Sequence, residues 1–325
     1  MGIGFAAVRD LMAFLRNDDK DAQGNANPLA DLKQAPCAFK NAAGTCATNP
    51  TTNFDVAIME GISQSGRFTR DFLWQGFNDD ARGHKVFDAM YPIIAGSRKT
   101  YTNFRFAQPG RWSKQHEDHW QPGDQFPFAY NVIKDPVSGN TDGLFNKCQQ
   151  SNTCPKVFHA DGEYEFWGAR ASLVSTDGAG KDLTVADSVR LFLVAGTNHG
   201  GGNGVGTQAT SPACTFPTSA VNESTTLRAL VPSLDAWVTA GTAPPASQWP
   251  SISSGTLAPP TDRAQVHFPD LARIGVSFIP DCTTSSSSRI TRARSPSSIS
   301  RRSTTCGCPR PIRMAMRTSA CAFRT

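Results

Sequence analysis

Asp55-Val-Ala-Ile-Met-Glu-Gly-Ile-Ser-Gln-Ser-Gly-Arg67 is the stretch on which the fold of this chain turns. Val56, Ala57, Ile58 and Met59 form a short apolar run with the length of a buried strand. Gly61-Ile-Ser-Gln-Ser-Gly66 is crowded with small residues, and a helical stretch follows from Arg67 to about Phe77. A strand, a tight turn and a helix in succession can hold a serine exposed on a strained elbow. Small residues are needed because strand and helix backbones approach closely there, and glycine accepts dihedrals that other residues resist. Ser63 is expected over the amino end of the helix, where unpaired N–H groups and partial positive charge suit a developing oxyanion. The Gln64 N–H is the expected oxyanion donor. The pattern Gly-x-Ser-x-Gly closes one residue late, with Ser65 in the final place and Gly66 after it. From this stretch alone, an ordinary small-residue turn is the alternative.

Working outward, residues 4–17 carry Phe5, Val8, Leu11, Met12 and Leu15 at helical spacing, broken by Arg9, Asp10 and Arg16. That pattern predicts an amphipathic helix and not a signal peptide. Residues 18–53 read as a polar loop. Val86–Ala95 reads as a second core strand, Lys156–His159 as a third, and Val189–Ala195 as a fourth. A loop and helix are expected over Tyr164–Val174. Thr226–Thr239 repeats Leu227, Leu230, Val231, Leu234, Trp237 and Val238 at helical spacing, with Gly241 to end it and Pro244-Pro245 beyond. Strands alternating with helices predict an α/β fold, a mostly parallel sheet flanked by helices. Residues 97–150 are irregular and aromatic, with Phe104, Phe106, Trp112, Trp120, Phe126, Phe128 and Tyr130. A long ordered insertion of this kind is expected to form a lid or substrate wall.

Functional groups in such sheets gather at the carboxyl ends of the strands. Ser63 follows the first strand, Asp161, Glu163 and Glu165 follow the third, and His199 follows the fourth within Gly196-Thr-Asn-His-Gly-Gly-Gly202. Serine, acid and histidine occur in that order in α/β-hydrolases. Each type is required. A serine hydroxyl attacks only when an imidazole takes its proton, and a carboxylate fixes the imidazole tautomer and stabilises its cation. Spacing alone favours Asp161, nearest the strand end, as the acid. Glu163 reads as a solvated loop charge.

The formal charge is +5, but nine Arg and no acid lie from Thr283 to the end. The preceding residues hold 23 basic and 27 acidic side chains, so the basic balance belongs to the tail and argues for no nucleic-acid partner. The tail, from about Cys282, is dominated by Ser and Arg and is expected to be disordered, since it has little apolar surface to bury. No apolar run approaches the ~18 residues that span a bilayer, so no membrane partner is expected. Five cysteines fall in the body, and Cys148/Cys154 and Cys37/Cys46 form close pairs without zinc-type spacing. Two local disulfides would fit an exported protein. His116-Glu-Asp-His119, with Asp124 nearby, departs from the His-Glu-x-x-His spacing that places two ligands one helical turn apart. No metal is expected, and the polar set reads as a rim to the aromatic insertion.

Residues 4–280 resemble a mostly bacterial group of α/β-hydrolase domain proteins related to carbohydrate and aromatic-acid esterases. The resemblance rests on Gly4-Phe-Ala-Ala-Val-Arg-Asp10, Gly61-Ile-Ser-Gln-Ser-Gly-Arg67, Gly123-Asp-Gln-Phe-Pro-Phe128, Cys154-Pro-Lys-Val-Phe158, Glu165-Phe-Trp-Gly168, Ala195-Gly-Thr-Asn-His-Gly200 and Gly241-Thr-Ala-Pro-Pro245. It implies a serine esterase with Ser63 as nucleophile, His199 as base and Glu165 as acid, because Glu-aromatic-Trp matches the group's motif. Asp161 remains the alternative acid. Glucuronoyl esterases look similar in carrying an extra residue before the elbow glycine. The implied reaction needs no cofactor and takes a small-molecule ester.

Measured against that group, the chain begins inside the fold. It is expected to be a partial α/β-hydrolase domain over 1–282 followed by a disordered Ser/Arg-rich tail over 283–325, as after a shifted reading frame. A truncated product with little or no esterase activity is one rival reading. A carbohydrate-binding module built on the aromatics of 97–150 is another.

Overall fold

The computed structural model of the protein describes residues 2–30, 32, 52–100, 125–205, 218–259, 263–275 and 278. Cys37, Cys46, His116, His119, Asp124, Cys214, the first aromatics of the insertion and the Ser/Arg-rich stretch lie outside the described residues.

Among the described residues, four parallel strands form the main sheet: β1 (Ile58–Ile62), β2 (Ala89–Ile93), β5 (Lys156–Gly162) and β6 (Val189–Val194), in that spatial order. Ile58 pairs with Ala89 and Ile62 with Ile93, while Val157 pairs with Val189 and Gly162 with Val194. A two-stranded antiparallel ribbon, β3 (Ile133–Lys134) with β4 (Thr141–Asp142), lies apart from it. The helices are α1 (Ile3–Asn17), α2 (Gln64–Trp74), α3 (Asn146–Gln150), α4 (Glu163–Gly168) and α5 (Ser224–Ala240).

Parallel strands need cover on both faces, and two apolar clusters provide it. One joins Phe5 of α1, Phe72 and Leu73 of α2, and Phe145 to Met59, Met90, Val157, Val189 and Leu191. The other seats Leu230, Leu234 and Trp237 of α5 on Tyr91, Ile93, Phe158, Ala160 and Phe192. Alternate residues of β5 therefore serve opposite faces, as the two-residue period of a strand requires. Helix α1 buries Phe5 and Ala13 with Val8 and Met12 partly covered, but Leu11 lies 56% exposed. Burial of one such ring contributes about 2 kcal/mol. Arg16 fixes the other end of α1: it pairs with Asp88 at 2.9 Å and donates to Asp55 O, beside the entries to β1 and β2.

Strand boundaries differ from the sequence expectation in one instructive way. β1 begins at Ile58 and runs through Gly61 to Ile62, so the elbow contracts to Ser63 alone and α2 starts at once with Gln64. Parallel pairing to β2 extends the strand past its apolar run. Among the described residues β1 is an edge strand, with Ile62 54% exposed.

The later part of the aromatic insertion, residues 125–150, packs against the sheet. Tyr130, Leu144, Phe145 and Cys148 belong to the first core cluster and cover one face of the sheet. Cys148 and Cys154 form a disulfide with a Cα separation of 4.7 Å, which fastens α3 to the start of β5. Closing so short a loop removes little chain entropy. Replacing both cysteines with Ala should cost only about 2 kcal/mol of unfolding free energy, read as a shift of the urea midpoint with an unchanged slope. A loss of folding would show that the bridge does more than restrain the unfolded chain.

Candidate active site

Ser63 occupies the turn between β1 and α2 at φ 57 and ψ −113. A non-glycine residue in that region is strained by about 1–3 kcal/mol, and the packing around it explains why the strain persists. Ser63 N–H donates to Ile93 O at 2.8 Å, which anchors the turn to β2. A Cβ on Gly61 would collide with the Ser65 carbonyl and lie 2.6 Å from Thr69 Oγ1. A Cβ on Gly66 would lie 2.8 Å from both Gly61 O and Ile93 O. Ser65, in contrast, is exposed. The displaced glycine of the motif is thus accounted for: the close approach falls at Gly66, and residue 65 tolerates a side chain.

His199 reaches Ser63 from the loop after β6, with Ser63 Oγ 2.7 Å from His199 Nε2. Its Nδ1 lies 2.6 Å from Glu165 Oε1. A carboxylate only accepts, so Nδ1 carries the proton and Nε2 is left to accept from the Ser63 hydroxyl. Glu165 is fully buried, and its second oxygen accepts the Gly162 N–H at 2.9 Å, which fixes the carboxylate at the start of α4. Burial pushes the Glu165 carboxyl up to about 7; the charge of Asp161 adds to this and the hydrogen bond with His199 opposes it.

The His199 loop is braced from two sides. Thr197 O accepts from the Tyr164 N–H at 3.2 Å, and the Gly196 N–H donates to Glu163 Oε2 at 2.7 Å. Glu163, expected as a solvated charge, is therefore half-buried and holds this loop. The Tyr164 ring stands 5.5 Å from the His199 ring.

A family model described as alpha/beta hydrolase domain matches residues 5–267. The chain belongs to that family. No curated protein and no solved structure matches it.

Asp161, nearest the strand end of this α/β-hydrolase, is held by His159 and the Gly96 backbone. Its Oδ2 lies 2.8 Å from His159 Nε2, and its Oδ1 accepts the Gly96 N–H at 3.1 Å. His159 is buried with Nδ1 2.9 Å from the Tyr130 hydroxyl and 3.3 Å from Arg70 Nη1. Arg70 can only donate, so Nδ1 accepts and the neutral ring gives its Nε2 proton to Asp161. Burial lowers the His159 pKa, consistent with that neutral form. Residues 159 and 161 share one strand face, and His159 links that pair to Arg70 of α2. Sequence reasoning gave Arg70 and His159 no role and named Tyr130 only as an aromatic of the insertion. Their one sequence signal is a histidine in an apolar strand, and that identifies no partners.

Proposed function

We propose that the chain hydrolyses carboxylic esters through Ser63, His199 and Glu165. The observation that carries this reading is the continuous hydrogen-bonded line from Ser63 Oγ through both His199 nitrogens to the buried Glu165 carboxylate. His199 Nε2 takes the hydroxyl proton as Ser63 Oγ attacks the ester carbonyl, and the ring then returns it to the departing alcohol. Water repeats the sequence on the acyl-enzyme, restoring Ser63 and releasing the acid. Glu165 holds the Nδ1–H tautomer and offsets the imidazolium charge. Ser63 N–H is committed to Ile93 O, so the Gln64 N–H, at the first residue of α2 where no intrahelical acceptor exists, faces the oxyanion.

The test is hydrolysis of p-nitrophenyl acetate by the purified chain, joined to labelling with a fluorophosphonate and mapping of the modified peptide. Turnover with Ser63 as the labelled residue is expected. A folded chain that neither turns over ester nor labels at Ser63 would establish the non-catalytic reading instead.

The pH profile should follow from Glu165. Its carboxyl is raised to about 7, and the ionised form is the one that supports the imidazolium. Activity should therefore be low below pH 6, rise through an acid limb near 7 and level off above it. The limb belongs to the Glu165–His199 pair and not to either group alone. A limb near the usual carboxylate range of about 4 would contradict the burial argument.

A further inference from the structure

Residues 219–223 strap the His199 loop from outside. Ser219 Oγ donates to Gly196 O at 2.6 Å, the Gly202 N–H to Val221 O at 2.6 Å, and the Gly204 N–H to Ala220 O at 2.9 Å. The strap ends in Glu223, the residue before α5. Glu223 is only 4% exposed, and its Oε2 has no hydrogen-bond partner among the described residues. A Cβ on Gly201, which lies at φ +68, would stand 2.9 Å from Glu223 Cγ and 3.3 Å from Cδ. The carboxylate thus rests against the backbone turn two residues past His199, and that turn stays open because residue 201 is glycine. A buried carboxylate oxygen with no donor is costly unless a positive charge lies near it.

We propose that Glu223 is a second carboxylate for His199, acting on the imidazolium through space while Glu165 holds the ring by its hydrogen bond. This makes Glu223 a positioning residue, one that never touches substrate, and it rests on the reading of Ser63 and His199 given above. The attraction exists only once His199 has taken the Ser63 proton. It is therefore stronger in the transition state than in the resting enzyme, which is the condition for raising kcat. Burial raises the Glu223 carboxyl above its usual range and the charge of His199 pulls it back. Among the described residues, the other groups around this region are acidic or neutral: Glu163, Tyr164 and Glu165 of α4, Asp161 at the end of β5, and Tyr91 of β2, whose hydroxyl feels Glu223 and Glu60 of β1.

Proton uptake by the Glu165–His199 pair, followed by NMR at the His199 ring, tests this directly. The chain has six histidines, and a His199→Gln variant assigns the signal. Glu223→Gln should lower the midpoint by roughly half to one pH unit. Glu223→Asp, which keeps the charge but withdraws it by one methylene, should fall between the native chain and Glu223→Gln. With p-nitrophenyl acetate, Glu223→Gln should lower kcat about tenfold and move the acid limb down with the NMR midpoint. An unmoved midpoint in folded Glu223→Gln overturns the proposal, and if that variant does not fold, an unmoved midpoint in Glu223→Asp does so. Lower kcat with an unmoved limb also overturns it, since packing alone gives that result. The NMR measurement needs no turnover, so it decides Glu223 even if Ser63→Ala hydrolyses ester as fast as the native chain and the esterase reading fails.

Discussion

Ser63→Ala should lower kcat for p-nitrophenyl acetate by a factor on the order of 10⁶, and His199→Ala by a similar factor. In the proposed mechanism the two groups act as one device, their side chains meeting at 2.7 Å. Without the hydroxyl there is no acyl-enzyme, and without the imidazole the hydroxyl keeps its proton. The double variant should therefore be no slower than either single one, far from the product of the two losses. KM should change little, because both groups act as bonds form and break. The measurement is kcat for the three variants beside the native chain, with circular dichroism to show that each is folded. Losses that multiply in the double variant would mean that Ser63 and His199 act in separate steps and would break the proposed mechanism.

Glu165→Gln should cost about 10³–10⁴ in kcat with the fold retained, by comparison with the same change at the acid of a serine-protease triad. Two effects combine. The imidazolium loses its balancing charge, and the amide can present N–H to Nδ1, which forces the wrong tautomer and leaves Nε2 protonated against Ser63. Asp161→Asn supplies the contrast. Asp161 binds His159 and the Gly96 N–H rather than His199, so its loss should slow the reaction far less and appear mainly as lower stability. It should also move the acid limb to lower pH, because the charge of Asp161 helps to raise the Glu165 carboxyl. If Asp161→Asn proved the more damaging of the two in kcat, the acid assignment would have to be reversed.

Much of the fold is local in origin, and so it was legible. The helical spacing in α1 and α5, the apolar β6 and the small-residue turn each follow from propensity and period within a few residues. Boundaries were less legible. β1 and β5 continue beyond their apolar runs because neighbouring strands supply the hydrogen bonds, and nothing within the run states where a partner ends. The packing of the later insertion was illegible for a related reason. Tyr130 reads as one aromatic of an irregular stretch in sequence, but with Phe145 it meets the core through the sheet face that α2 also covers.

The identity of Ser63 and His199 as candidates came from residue type, chain order and the strand ends they follow, all readable along the chain. The choice between Asp161 and Glu165 did not, because three acids lie within five residues of one another. The residues alone allowed either, and the family motif Glu-aromatic-Trp pointed to Glu165. Tertiary structure separates them physically: the two-residue period of β5 sets Asp161 on one face with His159, which meets Arg70 and Tyr130, and the first turn of α4 swings Glu165 to His199. Glu223 lies further still from sequence reasoning. Nothing in Val221-Asn-Glu-Ser224 marks it, and its meaning comes entirely from a strap that carries a buried carboxylate to the turn beside His199. Local patterns along this chain determined the elements and the chemical types at their ends; which side chains meet was decided by strand register and by loops that return from afar, since only three-dimensional packing brings residues 63, 165, 199 and 223 together.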